Sequence, residues 1–355
     1  MNDITELKEY MLLHARMQGM TPEEYHQVTD AIRSDNEGDP DSWAARWIAA
    51  GAELEDAGQL LEACRCYNLA RFPYTDGPTR KKALDDCVAV FGRWRVNVPA
   101  IQPLTVDCLG GQVRCWTTGL DPASRRPLVL LMGGQVSIKE QWAPLLPVFS
   151  QLGFAAIATE MPGVGQNTVH YTRESWQMLS QIIDAVSLSA DTSRTYAVCL
   201  SFSGHLALRC AAHDDRIRGI IAGSAPVRRF FTDPEWQRQV PRIAIDSLVH
   251  LTGDRLDAMA DWALGNETLA AIKVPVHYTV SMRDEIVPAD EGALLAEFAP
   301  DVHLRSNDDV HGSPSRLDET RQWVIQCLLG MHGSDPGAQD SASRSADTAP
   351  AGPTR

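Results

Sequence analysis

No stretch of this sequence approaches the ~20 consecutive apolar residues needed to cross a bilayer. Its opening residues, MNDITELKEYMLLHARMQGM, are charged and helical in period, without the basic region and apolar core of a secretory signal. The eight cysteines (Cys64, Cys66, Cys87, Cys108, Cys115, Cys199, Cys210 and Cys327) include no Cys-x-x-Cys pair and no metal-ligand spacing. They read as reduced, mostly buried thiols. A basic excess is missing too: 46 acidic against 32 basic side chains leave a net charge of −14, unsuited to phosphate backbones. There is no G-x-G-x-x-G dinucleotide fingerprint and no pair of histidines at metal-binding spacing. The expectation left standing is a cytoplasmic enzyme or binding protein with no metal or redox cofactor, no nucleic-acid partner and no membrane partner.

What is present is organised in two styles. Residues 1–97 read as a helical domain. TPEEYHQVTDAIR opens with Thr21 as N-cap, Pro22 at the first helical position and Glu24 at the capping-box position. Trp43, Trp47, Leu54, Leu60, Ala63, Tyr67 and Ala70 then fall at helical spacing and read as helix-packing surface. An apolar face left exposed on these helices would favour a homodimer.

From Val98 the pattern changes. LTVDCLGGQVRCWTTG alternates around Gly110–Gly111 as a hairpin, and RPLVLLMGG is a buried strand running into glycines. KEQWAPLLPVFSQLG reads as one amphipathic helix closed by Gly153. FAAIATEMPGVGQN, TYAVCLSFSGHLALRCAAH, IRGIIAGSAPV, VPVHYTVSMRDEIVP and DVHLRSNDDVHGS supply further strands with helices between them. Buried strands alternating with helices predict an α/β core over 98–332, with a mostly parallel sheet covered on both faces. Some 45 residues of helical character at 228–272 exceed a short crossover and predict a lid. The stretch from 333 to 355, rich in Gly, Ser, Ala, Pro and Asp, predicts a disordered tail.

The chemistry collects at strand ends, where open α/β sheets bind ligands. AVCLSFSGHL carries Ser201 at a strand-to-helix turn, the setting of a nucleophile elbow, although Cys199 and Ser203 stand where G-x-S-x-G has glycines. A serine hydroxyl needs a base, and such a turn aims the next amide, that of Phe202, at a developing oxyanion. Asp284 follows one later strand and His311 the next, which gives the order Ser, Asp, His. His205, His213, His250 and His277 read as structural. Asp308 and Asp309 flank His311 and compete with Asp284 to orient it. Cys199 as nucleophile is disfavoured, since it would lie inside the strand. Lys139 and Glu140 are candidate substrate contacts, against the simpler reading of a solvated helix start with an acid near the positive dipole end.

The span from about 40 to 330 resembles the α/β-hydrolases related to the fermentation–respiration switch protein, 2,6-dihydropseudooxynicotine hydrolase and the fungal pigment polyketide-shortening hydrolase. The resemblance rests on WAARWIAAGAELEDAG, ACRCYNLA, LMGGQVSIKEQW, EMPGVGQN, CLSFSG, SMRDEIVP and DVHGS, with GG-x-x-S-x-K-E the most specific. It implies the α/β-hydrolase fold, a Ser201–His311–Asp284 triad, and an oxyanion hole from the Phe202 amide and the Gly133–Gly134–Gln135 loop. It also implies helices closing over the site and action on carbonyl compounds, including esters and the carbon–carbon bonds of β-diketones. Glu160 departs from the Asp that many relatives carry before Pro-Gly. Three functions follow as expectations. The first is a serine hydrolase for an acyl or polyketide-like small molecule. The second is a lyase on the same scaffold, eliminating an acyloxy group such as acetate from a tetronate-type intermediate with His311 as base. The third is a catalytically silent binding protein.

Overall fold

The helical part begins with α1 (Ile4–Met17), started by the Asp3 carboxylate accepting the amides of Thr5 and Glu6. In this computed structural model, which describes residues 2–334, α2 (Pro22–Thr29) opens on the capping box between Thr21 and Glu24. Then come α3 (Trp43–Asp56), α4 (Leu60–Ala70) and α5 (Pro78–Trp94). Trp43 and Trp47 are fully buried, and Trp43 Nε1 donates to the Leu69 carbonyl at 2.7 Å. Helices α3 and α4 approach closely because Gly51 faces the Tyr67 ring, where a methyl group would come within 2.7 Å.

The sheet starts with a hairpin, β1 (Gln102–Cys108) and β2 (Gly111–Thr118), whose turn residues Leu109 and Gly110 both have positive φ. Next are β3 (Pro127–Met132), α6 (Lys139–Trp142) and α7 (Leu146–Gln151). The single helix expected over 139–153 is in fact broken by a 3-10 turn at Ala143–Leu145. Pro144 and Pro147 explain the break, since each removes a backbone donor. The alternation then continues through β4 (Ala155–Thr159), α8 (Gln177–Ala185), β5 (Asp191–Leu200), α9 (Phe202–Ala211) and β6 (Ile217–Gly223). Between β6 and the next strand lie α10 (Arg229–Thr232), α11 (Pro234–Gln237), α12 (Arg242–Thr252) and α13 (Asn266–Ala271). The chain closes with β7 (Val276–Ser281), α14 (Glu291–Phe298), β8 (Val302–Asn307) and α15 (Leu317–Ser334). The tail is expected from 333, but Gly333 and Ser334 still belong to α15; the remainder, 335–355, lies outside the described residues.

All eight strands form one sheet in the order β1-β2-β4-β3-β5-β6-β7-β8, with helices on both sides. The hairpin and its junction with β4 are antiparallel, and every pairing from β4 to β8 is parallel. Strands β3 and β4 are buried at every residue, as the continuous apolar runs required. The parallel strands all point their carboxyl ends to one edge, and β5, β7 and β8 deliver Ser201, Asp284 and His311 there. Among the described residues no helix is long and apolar enough to cross a membrane.

The Trp43 site gives a direct test of how the helical layer is held. Trp43→Ala removes a fully buried ring and its hydrogen bond to the Leu69 carbonyl, so unfolding free energy from urea titration should fall by roughly 3–5 kcal/mol.

Candidate active site

Ser201 has φ 57° and ψ −132°, a conformation that side chains larger than hydrogen rarely adopt. Its surroundings enforce it. The Ser201 amide donates to the Gly223 carbonyl of β6 at 2.8 Å, and its carbonyl accepts from Gly204 at 2.8 Å. The close approach of helix to sheet that glycines usually permit is made one residue later. A methyl on Gly204 would come within 2.6 Å of Ala225 Cβ and 3.1 Å of the Cys199 carbonyl. Ser203 fits because its hydroxyl has acceptors: Oγ donates toward the Met132 and Leu200 carbonyls, both at 2.9 Å. Cys199 is registered between Met132 of β3 and Ala222 of β6, fully buried, and burial pushes its thiol far above the usual range. It is inert strand packing.

The imidazole of His311 stands between the other two groups. Its Nε2 is 3.0 Å from Ser201 Oγ, and its Nδ1 is 2.9 Å from each Asp284 oxygen. Asp284 is itself fixed, since Oδ1 accepts the amides of Ile286 at 2.9 Å and Val287 at 2.8 Å. Glu285 holds the loop by accepting the His311 amide at 3.1 Å. The competing acids are engaged elsewhere: Asp308 pairs with Arg283, and Asp309 accepts from the Ser315 amide and hydroxyl. Burial opposes charge on His311, but the Asp284 carboxylate, its hydrogen bond and the more distant Glu285 prevail and raise the imidazole above its ordinary value. A proton on Nδ1, held by Asp284, leaves Nε2 as the acceptor facing the serine hydroxyl. The arrangement can therefore take a proton from Ser201 and return it.

The loop after β3 borders the same point. A methyl on Gly134 would lie 3.1 Å from Ser201 Cβ and 3.4 Å from its Oγ. The amides of Gly134, Gln135 and Phe202 donate to no other described residue. Unpaired backbone donors near such a hydroxyl are the groups that can bind an oxyanion.

Lys139 and Glu140 are where the sequence reading needs correction. The solvated helix start is wrong: the two side chains are about as buried as any in the protein, at 1% and 2% exposure. Lys139 Nζ lies 2.9 Å from Glu140 and 3.3 Å from Glu160, while Trp116 Nε1 donates to Glu140 at 3.0 Å. Burial disfavours the Lys139 charge, but the two carboxylates outweigh it and raise the ammonium above its ordinary value. Glu160 is pushed up to about 7, by burial before all else. Its longer side chain also reaches the amides of Lys139 and Gln166. These charges face one another under the loop.

Other contributors come from the first helix and went unseen in the sequence. The Leu13 side chain packs on Gly312, next to His311, and would meet a methyl there at 2.6 Å. His14 Nδ1 is 3.4 Å from Gln141 Oε1, and burial, followed by the Arg71 charge, pushes the imidazole down to about 4. His14 also feels the charge of His311. Nothing local in YMLLHARM separates His14 from a surface histidine. Only the tertiary fold brings it to the site.

The fold, with a serine elbow after β5 and an acid and histidine after β7 and β8, defines an α/β-hydrolase. A family model described as FrsA-like esterase matches residues 43–324, and the chain belongs to that family. It is 24% identical over 319 residues to an esterase FrsA of Vibrio parahaemolyticus, covering 81% of this chain and 77% of that one. Among solved structures, one titled AbyA5 wildtype is 47% identical, with a TM-score of 0.90, covering 96% of this chain and 98% of that one. A 2,6-dihydroxy-pseudo-oxynicotine hydrolase, 16% identical with a TM-score of 0.70 over 90% of this chain and 96% of its own, shares the fold.

The charge balance at His311 is testable without a substrate. Asp284→Asn removes the main group raising its pKa, so NMR titration of the imidazole should show it protonating at lower pH than in the wild type. In the wild type the raised value means that the neutral, proton-accepting imidazole is lost as pH falls through a point above 6.5.

Proposed function

We propose that this protein is a serine hydrolase that cleaves an ester, thioester or activated carbon–carbon bond of a bulky, polyketide-like metabolite. Ser201 attacks the carbonyl as His311 takes its proton, and Asp284 holds the imidazole tautomer. The amides of Phe202 and of Gly134 or Gln135 bind the tetrahedral oxyanion, at about 3 kcal/mol per donor. His311 then protonates the leaving group, and water repeats the sequence on the acyl-enzyme. The observation that carries this reading is the unbroken contact from Ser201 Oγ through His311 to both oxygens of Asp284, at 3.0, 2.9 and 2.9 Å. Membership of an esterase family supports it. Lys139 and Glu140 are withdrawn as substrate contacts, because both are enclosed with Glu160.

A second reading keeps the residues and changes the bond. His311 removes a proton α to a carbonyl, the amides hold the enolate, and an acyloxy group leaves from the β-carbon with its electron pair. The raised basicity of His311 serves proton removal in this reading as it does in the first.

Products from candidate acyl esters and β-diketones, formed in H₂¹⁸O, separate the two by mass spectrometry. Hydrolysis places ¹⁸O in the carboxylate, and Ser201→Ala lowers the rate by about 10³-fold or more. Elimination releases unlabelled carboxylate together with an alkene. Full ester hydrolysis by Ser201→Ala, or failure of a fluorophosphonate to label Ser201, would overturn the leading reading.

A further inference from the structure

The loop carrying the Gly134 and Gln135 amides is gripped from two sides by groups outside the triad. On one side is Arg71, the residue that ends α4. It is buried, at 3% exposure, and makes no ion pair among the described residues. Its Nε and Nη2 donate to Asn68 Oδ1 at 2.9 and 2.7 Å, its Nη1 to the Pro73 carbonyl at 3.3 Å, and its Nη2 also to the Val136 carbonyl. Asn68 is tied in turn to Gln18, just past α1, at 2.8 Å. The guanidinium is therefore a fixed bridge from the N-terminal helices to the loop. Burial lowers its pKa to about 10, so it remains charged at neutral pH.

On the other side is the Gln135 side chain. Its Nε2 donates to the Ala244 carbonyl of α12 at 2.9 Å, across the boundary between loop and lid. Its Oε1 is buried and has no partner among the described residues. Helix α12 is itself seated on α1, whose Glu6 carboxylate accepts the amides of Arg242 and Ile243 at 3.2 and 3.1 Å. A buried cation without a carboxylate partner is a poor way to gain stability, because an apolar side chain fills such space at less desolvation cost. A buried amide half paired is likewise costly. Both are intelligible if what they supply is a fixed loop geometry.

We propose that Arg71 and the Gln135 side chain are positioning residues of the chemical step. They hold the 133–137 loop between the N-terminal helices and the lid, so that its amides sit where the oxyanion forms. The proposal rests on the serine-hydrolase reading. It makes the helical layer and the lid working parts of the oxyanion site.

The test uses the full-length enzyme with p-nitrophenyl acetate as reporter, phenylboronic acid as a tetrahedral-adduct probe, and thermal melts of each variant. Arg71→Met and Gln135→Met should each lower kcat by about tenfold or more, with KM changed less than about threefold. Boronate affinity should fall in parallel with kcat, and Arg71→Lys should recover part of the loss. If Arg71→Met does not fold, Gln135→Met and Arg71→Lys carry the same comparison. Folded variants that keep wild-type kcat overturn the proposal and leave the hydrolase reading intact. So does a loss of kcat that tracks the melting temperature and spares boronate binding. A wild-type enzyme inert toward both the ester and a fluorophosphonate removes the hydrolase reading, and this proposal with it.

Discussion

The positive φ of Ser201 is the constraint on which the rest depends. A non-glycine residue in that region costs about 1–3 kcal/mol and persists only where its neighbours over-determine it. Here they do, through three adjacent strands. β6 supplies the acceptor for the Ser201 amide, β3 supplies an acceptor for Ser203, and the end of β5 supplies another. All three strands are buried where they pair at the centre of the sheet, which resists a shift that would relieve the turn. Were the backbone to relax, Oγ would turn away from His311 and the Phe202 amide would lose its aim. The cost of one strained residue is carried by the whole centre of the sheet.

That rigidity stops at the strand ends, and the N-terminal helices take over from there. Burial first, and then the charge of Glu285, whose carboxylate accepts the His311 amide, raise the Tyr10 hydroxyl above its ordinary value. Leu13 packs on Gly312, and Glu6 caps α12. One helix thus touches both the loop that carries His311 and α12. Loops at the edge of an α/β sheet are otherwise the least constrained part of such a fold. A helical layer pressed against them supplies order that the sheet cannot.

How much of this was legible in the sequence follows from the range of each interaction. The strands, the hairpin around Gly110 and the capping box at Thr21 are local patterns and can be read, although the turn falls at Leu109–Gly110, one residue before the expected Gly110–Gly111. The order of Ser201, Asp284 and His311 was legible because strand ends in a parallel sheet share an edge. The altered elbow looked doubtful because its remedy is not local. Ser203 is satisfied by the Met132 carbonyl, far away in sequence, and the close packing passes to Gly204. Lys139 and Glu140 were misread for the same reason. A lysine and a glutamate at a helix start signal exposure, and only the approach of Glu160 and Trp116 makes burial tolerable. His14 and Arg71 had no signal at all. Prolines at 144 and 147 were visible, yet apolar periodicity outweighed them in predicting one helix where there are two.

Hydrolysis and elimination differ less at this site than their products suggest. In both proposed readings His311 Nε2 is the base, and in the structure it lies 3.0 Å from the Ser201 hydroxyl. Displacing that hydroxyl to reach a carbon-bound proton forfeits a hydrogen bond worth about 1 kcal/mol net. That is a small penalty beside the stabilisation of a negative oxygen by preorganised donors, at about 3 kcal/mol each. A tetrahedral oxyanion and an enolate both place their charge on the former carbonyl oxygen, so both call on the same amides. The demand that separates the two chemistries lies in the substrate, in whether a leaving group stands β to an acidic carbon. Under both proposed chemistries, then, the amides of the 133–137 loop meet the same developing charge.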